Sequence, residues 1–284
     1  MENMNTRVRG RKDIENLTLP FIGEIPLSYR KKKRLLFRKP QPESYSIVVK
    51  EKNRNVINEA FRVVRTNLEF MQGKNGHSPI IMVTSMNPGS GKTFITMNLA
   101  TSLAIKGKKV LAIDLDLRKA SLSTYIQSPG KGITNYLIGQ VNTYNEVIIK
   151  GETHPNLDIL PVGTIPPNPT ELLFENHLEQ MLSELKNQYD YIFIDCPPVE
   201  IVADTSIINK YVDQTLFVIR AELLERVMLP EIEKFYQTHK YKNMFLLLNG
   251  TTDAYTRYGY HKYGYRYGYH YGYGSGYHQN SDEK

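Results

Sequence analysis

The stretch TSMNPGSGKTFITMNLA, at residues 84–100, joins a short apolar run to an amphipathic helical pattern through a glycine-rich loop. A strand, a glycine-rich loop and a helix in that order are typical of a phosphate-binding loop. The general pattern G-x-x-x-x-G-K-[ST] requires glycine at position 86, where this chain has Met86. The stretch therefore predicts a phosphate-binding loop, with a glycine-rich turn that only caps a helix as the alternative.

In such a loop the backbone N–H groups of Gly89 to Thr93 would surround a β-phosphate at the positive end of the helix dipole. Lys92 would reach the β and γ oxygens, and the Thr93 hydroxyl would bind Mg²⁺. Asn249, at the end of the last predicted strand, would face the adenine edge of ATP. The predicted nucleotide-binding residues are Pro88, Gly89, Ser90, Gly91, Lys92, Thr93, Phe94 and Asn249.

Acidic residues end two other apolar runs. VLAIDLDLR, at 110–118, carries Asp114 and Asp116, and YIFIDCPP, at 191–198, carries Asp195. Ligands of open parallel sheets bind beyond the carboxyl ends of the strands, so these acids would face the same crevice as the phosphates. Three carboxylates beside a Gly-Lys-Thr loop indicate Mg²⁺, with Thr93 completing the predicted metal set. The predicted catalytic residues are Lys92, Asp114, Asp116 and Asp195.

Apolar runs and helical patterns alternate along the rest of the chain. Further buried strands are predicted within 79–85, 213–220 and 243–250, and helices within 53–71, 94–107 and 168–188. This alternation predicts an α/β fold of the P-loop type, with a mainly parallel sheet and helices on both faces. The predicted domains are an N-terminal arm at 1–50, a core at 51–250 and a tail at 251–284. Within the arm, 19–27 reads as a short strand or extended segment.

The composition restricts the compartment and the partners. A single cysteine excludes an intramolecular disulfide framework and suits a reducing compartment. No run of 18 apolar residues and no signal-peptide core are present, so we expect a soluble, cytoplasmic chain. The run RKKKRLLFRK at 30–39 holds seven of the basic residues behind the net charge of +7. It is a solvated loop or a strip that faces anionic lipid, whereas nucleic acid is not expected because no aromatic stacking platform surrounds the strip.

The C-terminal tail is rich in tyrosine and glycine and contains no Leu, Ile, Val or Phe within 257–278. Such a segment cannot build a packed core, so it is either disordered in isolation or a substrate. Half of the chain's 20 tyrosines lie there: Tyr255, Tyr258, Tyr260, Tyr263, Tyr265, Tyr267, Tyr269, Tyr271, Tyr273 and Tyr277.

Three segments resemble the Walker A, A′ and B motifs of the bacterial tyrosine kinases (BY-kinases). They are TSMNPGSGKT at 84–93, VLAIDLDLR at 110–118 and YIFIDCPP at 191–198. The likeness extends to NEAFRVVRTNL at 58–68, to PPNPTELL at 166–173 and to the tail, and so covers residues 50–284. The arm resembles the segment that follows the last membrane helix of polysaccharide co-polymerases that carry their kinase on the same chain. The resemblance implies that this chain is the cytoplasmic portion of a longer membrane protein, at the inner face of the cell membrane.

The resemblance also implies a function. The enzyme would use ATP and Mg²⁺ to phosphorylate its own tail tyrosines in trans, within a ring that is an octamer in the family, and would regulate capsule or exopolysaccharide export. Either Asp114 or Asp116 would be the base that takes the phenol proton, since an unperturbed tyrosine has a pKa near 10. Expected partners are other copies of the chain, a membrane-spanning co-polymerase part on the same or a partner chain, and a tyrosine phosphatase.

Two alternatives belong to a different class of function. A Gly-Tyr tail can also drive self-association without being modified, which would make the protein a regulatory ATPase. A partition-type ATPase that dimerises around ATP is the other alternative.

The helix at 53–71 carries an E-x-x-R-x-x-R pattern formed by Glu59, Arg62 and Arg65. Spacing alone favours intrahelical pairs on a solvated face. The resemblance implies instead that these residues join neighbouring subunits of the ring.

Overall fold

The computed structural model describes residues 6–27, 46–71, 79–165, 167–174, 176–199 and 204–252. The basic run at 30–39 and all ten predicted phosphoacceptor tyrosines lie outside these residues. The strands are β1 Phe21–Pro26, β2 Ile80–Thr84, β3 Val110–Asp114, β4 Ile149–His154, β5 Leu157–Leu160, β6 Tyr191–Asp195, β7 Gln214–Arg220 and β8 Met244–Thr251. The helices are α1 Val56–Met71, α2 Lys92–Ile105, α3 Ile133–Leu137, α4 Pro169–Leu172, α5 Asn176–Leu185, α6 Asp204–Ile208 and α7 Leu229–Gln237.

The eight strands of the described chain form one sheet in the order β1-β8-β7-β2-β6-β3-β5-β4. Every neighbouring pair is parallel except β4 and β5, which form an antiparallel hairpin at one edge. The predicted mainly parallel α/β fold is therefore confirmed. Because parallel strands align their carboxyl ends, the carboxyl ends of β2, β3, β6, β7 and β8 lie at one edge of the sheet.

Apolar side chains alternate between the two faces of the sheet, as the period of two in a strand requires. On β2, for example, Ile80 and Met82 pack into one core, whereas Ile81 and Val83 pack into the other. Helices α1 and α2 cover the face of Ile81 and Val83, and α3, α5, α6 and α7 contribute to the core on the opposite face. Both faces are thus buried, which explains why the central strands read as continuous apolar runs.

The structure differs from the sequence-based expectation in the region 168–188. Two helices, α4 and α5, occupy this region. At the end of α4, the N–H of Leu173 donates to the Thr170 carbonyl and that of Phe174 to the Glu171 carbonyl, each three residues back in the chain. Leu173 is fully buried, whereas Phe174 is 59% exposed. One continuous helical stripe was therefore the wrong expectation, because packing of Leu173 into the core redirects the chain there.

Part of the predicted arm belongs to the sheet. β1 pairs in parallel with β8 and forms the edge opposite β4. The chain before it is tied to the loop after β7, where Val8 donates its N–H to the Leu224 carbonyl at 2.9 Å and Arg226 forms an ion pair with Asp13 at 2.6 Å. The segment 19–27 is confirmed as extended, and the domain boundaries stay a prediction.

Among the described residues, no helix combines the length and the apolarity that a membrane span requires.

Candidate functional site

The loop between β2 and α2 begins the site. Gly91 is the N-cap of α2 and has a φ of 87°, in the left-handed region that a side chain disfavours. A Cβ at Gly91 would also collide with the Asn249 amide, which donates to the Ser90 carbonyl at 2.9 Å. Glycine is thus required here for both backbone conformation and space. The first N–H groups of a helix such as α2 have no carbonyl partner within the helix and can bind an anion.

Lys92, the first residue of α2, has a side chain that is only 8% exposed. Burial lowers the pKa of its ammonium, and the nearby carboxylates of Asp195 and Asp116 oppose that shift. A cation that has little water around it, at a helix N-terminus, attracts a bound phosphate more strongly than a fully hydrated cation does. The placement of Lys92 therefore fits the phosphate contact that the sequence predicts.

Asp195 lies at the end of β6, directly beside Asp114 at the end of β3, since the two residues are register partners. Thr93 donates its hydroxyl hydrogen to Asp195 Oδ2 at 2.5 Å. Burial raises the pKa of Asp195 to about 7, with the Lys92 charge acting in the opposite direction. The structure thus brings Lys92, Thr93 and Asp195 together, as the sequence predicted from segments about one hundred residues apart.

The two acids of the β3 end are not equivalent. Asp114 is completely buried, and its Oδ2 accepts hydrogen bonds from both the N–H and the hydroxyl of Ser123, each at 2.8 Å. Burial, followed by the Asp195 charge, raises the pKa of Asp114 to about 8. Asp116 lies nearer the surface, with 6% exposure, and its Oδ1 accepts the Lys119 N–H at 3.2 Å. Asp114 is therefore held by the protein, and Asp116 is the more accessible carboxylate.

One buried carboxylate oxygen, Asp195 Oδ1, indicates whether these acidic residues fit Mg²⁺. Among the described residues, none donates a hydrogen bond to Asp195 Oδ1, which is buried. A buried oxygen without a donor is costly unless a cation or water binds it. No three His, Cys, Asp or Glu side chains in the described part of the chain form a metal-binding cluster on their own. Asp195 and Thr93 thus fit a magnesium ion, and the full set with Asp114 and Asp116 stays a prediction.

Two residues predicted to bind nucleotide have additional roles in the structure. Phe94 packs its ring edge-on against Phe61 of α1, with 5.9 Å between the ring centroids, and its contact with a nucleotide stays a prediction. The Asn249 amide braces the loop through Ser90, and its contact with adenine stays a prediction. Pro88 and Gly89 lie exposed at the tip of the loop.

Sequence reasoning did not identify Ser123. Its hydroxyl donates to Asp114 and accepts the Val162 N–H at 2.9 Å, which joins the end of β3 to the segment after β5. No local pattern around residue 123 indicates this role, because it depends on a loop folding back onto the strand end. Ser123 therefore positions one of the predicted site carboxylates.

The residues Glu59, Arg62 and Arg65 of α1 separate into two groups. Arg62 forms an ion pair with Glu59 at 2.5 Å on the helix surface. Arg65 turns toward α2, where its Nη1 donates to the Ser102 carbonyl at 2.8 Å. The first two residues thus form the intrahelical pair that spacing predicts, and the third connects two helices of the same chain.

The chain is similar in sequence to proteins that are named tyrosine kinases. A family model described as an AAA domain matches residues 78–240. The tyrosine-protein kinase CpsD of Streptococcus agalactiae is 35% identical over 211 residues, which cover 73% of this chain and 90% of that protein. The putative tyrosine-protein kinase EpsB of Ralstonia solanacearum is 34% identical over 252 residues, which cover 84% of this chain and 31% of that longer protein.

Solved structures give the same result. The kinase domain of the Escherichia coli tyrosine kinase ETK has a TM-score of 0.74 at 26% identity, covering 92% of this chain and all of that one. The septum site-determining protein MinD of Pyrococcus horikoshii, solved in complex with Mg-ADP, has a TM-score of 0.50 at 25% identity and covers 60% of this chain and 70% of that one. The P-loop core is therefore shared with both a tyrosine kinase and a Mg-nucleotide-binding protein.

Proposed function

The chain belongs to the bacterial tyrosine-protein kinases of the P-loop type, and from that premise we propose that it phosphorylates the tyrosines of its own C-terminal tail in trans. The observation that carries the proposal is the grouping of Lys92, Thr93 and Asp195 at the loop between β2 and α2, in a chain that also bears ten tail tyrosines. A site that neutralises phosphate charge, together with tyrosine acceptors on the same chain, provides what phosphoryl transfer needs.

The transfer step follows from the placement of the acids. The phenol oxygen of a tail tyrosine attacks the γ-phosphorus of ATP, the bond between that phosphorus and the bridging oxygen breaks, and ADP leaves. The phenol proton passes to a carboxylate, for which we assign Asp116, because Asp114 already accepts two hydrogen bonds from Ser123. Lys92 and the loop N–H groups neutralise the charge on the β and γ oxygens. Mg²⁺, held by Asp195 and Thr93 with Asp114 close by, would add further positive charge there.

The position in the cell and the physiological role extend the proposal. We propose that the kinase acts at the inner face of the cell membrane and regulates capsule or exopolysaccharide polymerisation and export. The matched EpsB protein is about three times as long as its matched region, which supports a membrane-spanning part on the same or a partner chain. A cognate tyrosine phosphatase would return the tail to its unmodified state.

The direct test is incubation of the protein with Mg-ATP, followed by an anti-phosphotyrosine blot and mass spectrometry of the tail. We expect phosphate on several residues between Tyr255 and Tyr277, and none when ATP is omitted. ATP hydrolysis without phosphotyrosine would instead identify a regulatory ATPase with a non-catalytic tail. Mixing a tail-deleted active protein with an inactive full-length one tests transfer in trans, since label on the latter requires two molecules.

We further propose that the subunits form a ring, with an octamer as the family-based expectation, and that Glu59 and Arg62 contribute to the subunit contact. Their ion pair lies at the surface and is worth a few tenths of a kcal/mol to the helix. Arg62 Nη2 also donates to the Asn53 carbonyl at 3.2 Å, so replacing both residues by Ala should lower the melting temperature by no more than about 2–5 °C and reduce the assembled mass. Arg65→Ala should lower the melting temperature by about 2–5 °C, because it removes the hydrogen bond to Ser102.

Light scattering and thermal unfolding measure the two effects. The matched control is the double replacement of Glu69 and Lys106 by Ala, which removes a different ion pair, between α1 and the residue that follows α2, outside the E-x-x-R-x-x-R pattern. If the Glu59 and Arg62 variant assembles like the wild type, the pair serves only the helix.

A further inference from the structure

Arg220 is the last residue of β7 and lies beside the phosphate-binding loop. Its register partner is Asn249 of β8, the residue that braces Ser90. The Nη1 atom of Arg220 is 3.7 Å from the position that a Cβ would have on Gly91. The guanidinium therefore borders the same loop as Lys92, although no pattern in the sequence indicates it.

The Arg220 guanidinium has no hydrogen-bond or ion-pair partner among the described residues. It is half-buried, and none of the described residues forms a hydrogen bond or an ion pair with it. Burial lowers the pKa of Arg220, and no carboxylate of a described residue opposes that shift. A buried arginine usually pairs with an acid or stacks on an aromatic ring. Among the described residues, Arg220 thus has neither of these partners.

Gly250 makes room for this side chain. The Cδ, Nε and Cζ atoms of Arg220 lie 3.1, 2.7 and 2.9 Å from where a Cβ of Gly250 would be, so a side chain at residue 250 would displace them. Gly250 also has a φ of 77°, which favours glycine. The arginine is consequently supported from one side by the backbone of β8 in a fixed place next to the loop.

The order of the strands decides which part of a nucleotide lies near Arg220. The acids that would hold the metal are on β3 and β6, on one side of β2, whereas Arg220 and Asn249 are on β7 and β8, on the other side. Because the γ-phosphate needs the metal and the acids, it must lie toward β6. The nucleoside then leaves the loop on the opposite side, toward β7.

We propose that the Arg220 guanidinium stacks on the base of the bound nucleotide and so contributes to nucleoside binding. A planar guanidinium binds the π face of a ring, which fits a cation that has no acid partner but is supported from one side. The inference rests on the proposed nucleotide site and adds to it a residue that recognises the base rather than the phosphates.

The test compares two probes, Mg-ADP and inorganic tripolyphosphate, by isothermal titration calorimetry. Arg220→Met should weaken ADP binding by about tenfold, and Arg220→Lys by nearly as much, because lysine keeps the charge but loses the planar surface. Tripolyphosphate binding should stay at the wild-type value in both variants. Arg54→Met, an exposed arginine outside the site, should leave both probes unchanged.

The possible outcomes separate the proposals. Equal weakening of ADP and tripolyphosphate would overturn the base contact, since it would mean that Arg220 acts on the phosphates or holds the loop. Unchanged ADP binding in both variants, or retained binding in Arg220→Lys alone, would also overturn it. A wild-type protein that binds neither probe would instead contradict the proposed nucleotide site.

Discussion

Replacing Lys92 by Met should lower the rate of tail tyrosine phosphorylation by about a thousandfold, because it removes the charge that neutralises the transferred phosphate. Methionine has similar length and no charge, and it suits a side chain that is only 8% exposed. We therefore expect the fold to persist. Lys92 also lowers the pKa of Asp195, so that carboxyl should hold its proton to a higher pH in the variant.

Initial rates of label transfer from radioactive ATP, together with circular dichroism, test this expectation. Lys106→Met is the matched control, since Lys106 follows the last residue of the same helix α2 and forms only an exposed ion pair with Glu69. It should label at the wild-type rate. Wild-type labelling in Lys92→Met itself, with the fold intact, would mean that the nucleotide site has been placed wrongly.

The second large effect is expected at Asp116. Asp116→Asn should lower kcat by about a hundredfold to ten-thousandfold, the usual contribution of a general base, while the affinity for ATP changes little. The amide keeps the shape and the hydrogen bond from the Lys119 N–H but cannot take the phenol proton. Steady-state rates with ATP and a tail peptide, measured across pH, separate kcat from KM.

Two comparisons make the assignment of the base testable. Asp190→Asn changes an exposed acid at the other end of the sheet, where it accepts the Lys109 N–H, and should leave kcat unchanged. Asp114→Asn changes the buried acid held by Ser123. Normal kcat in Asp116→Asn combined with its loss in Asp114→Asn would transfer the role of base to Asp114.

The sequence predicted the central strands and the helices that follow them because their signals are local. Burial of both faces gives β2, β3, β6, β7 and β8 continuous apolar runs, and a glycine-rich loop before a helix is recognisable at any position. The prediction was wrong over 168–188, where two helices replace one stretch, and it did not identify β4 or β5. Those elements are short, and the packing of single residues such as Leu173 decides where they end.

The sequence by itself determined the P-loop type of the fold and the grouping of Lys92, Thr93 and Asp195, since parallel strands must bring their carboxyl ends to one edge. Only the tertiary structure decided which residues support that group. The hydrogen bonds from Ser123 to Asp114 and the place of Arg220 beside Gly91 join residues that are distant in the chain. Such contacts depend on strand order and on how side chains fill a common space, and neither quantity is encoded in the local periodicity of a sequence.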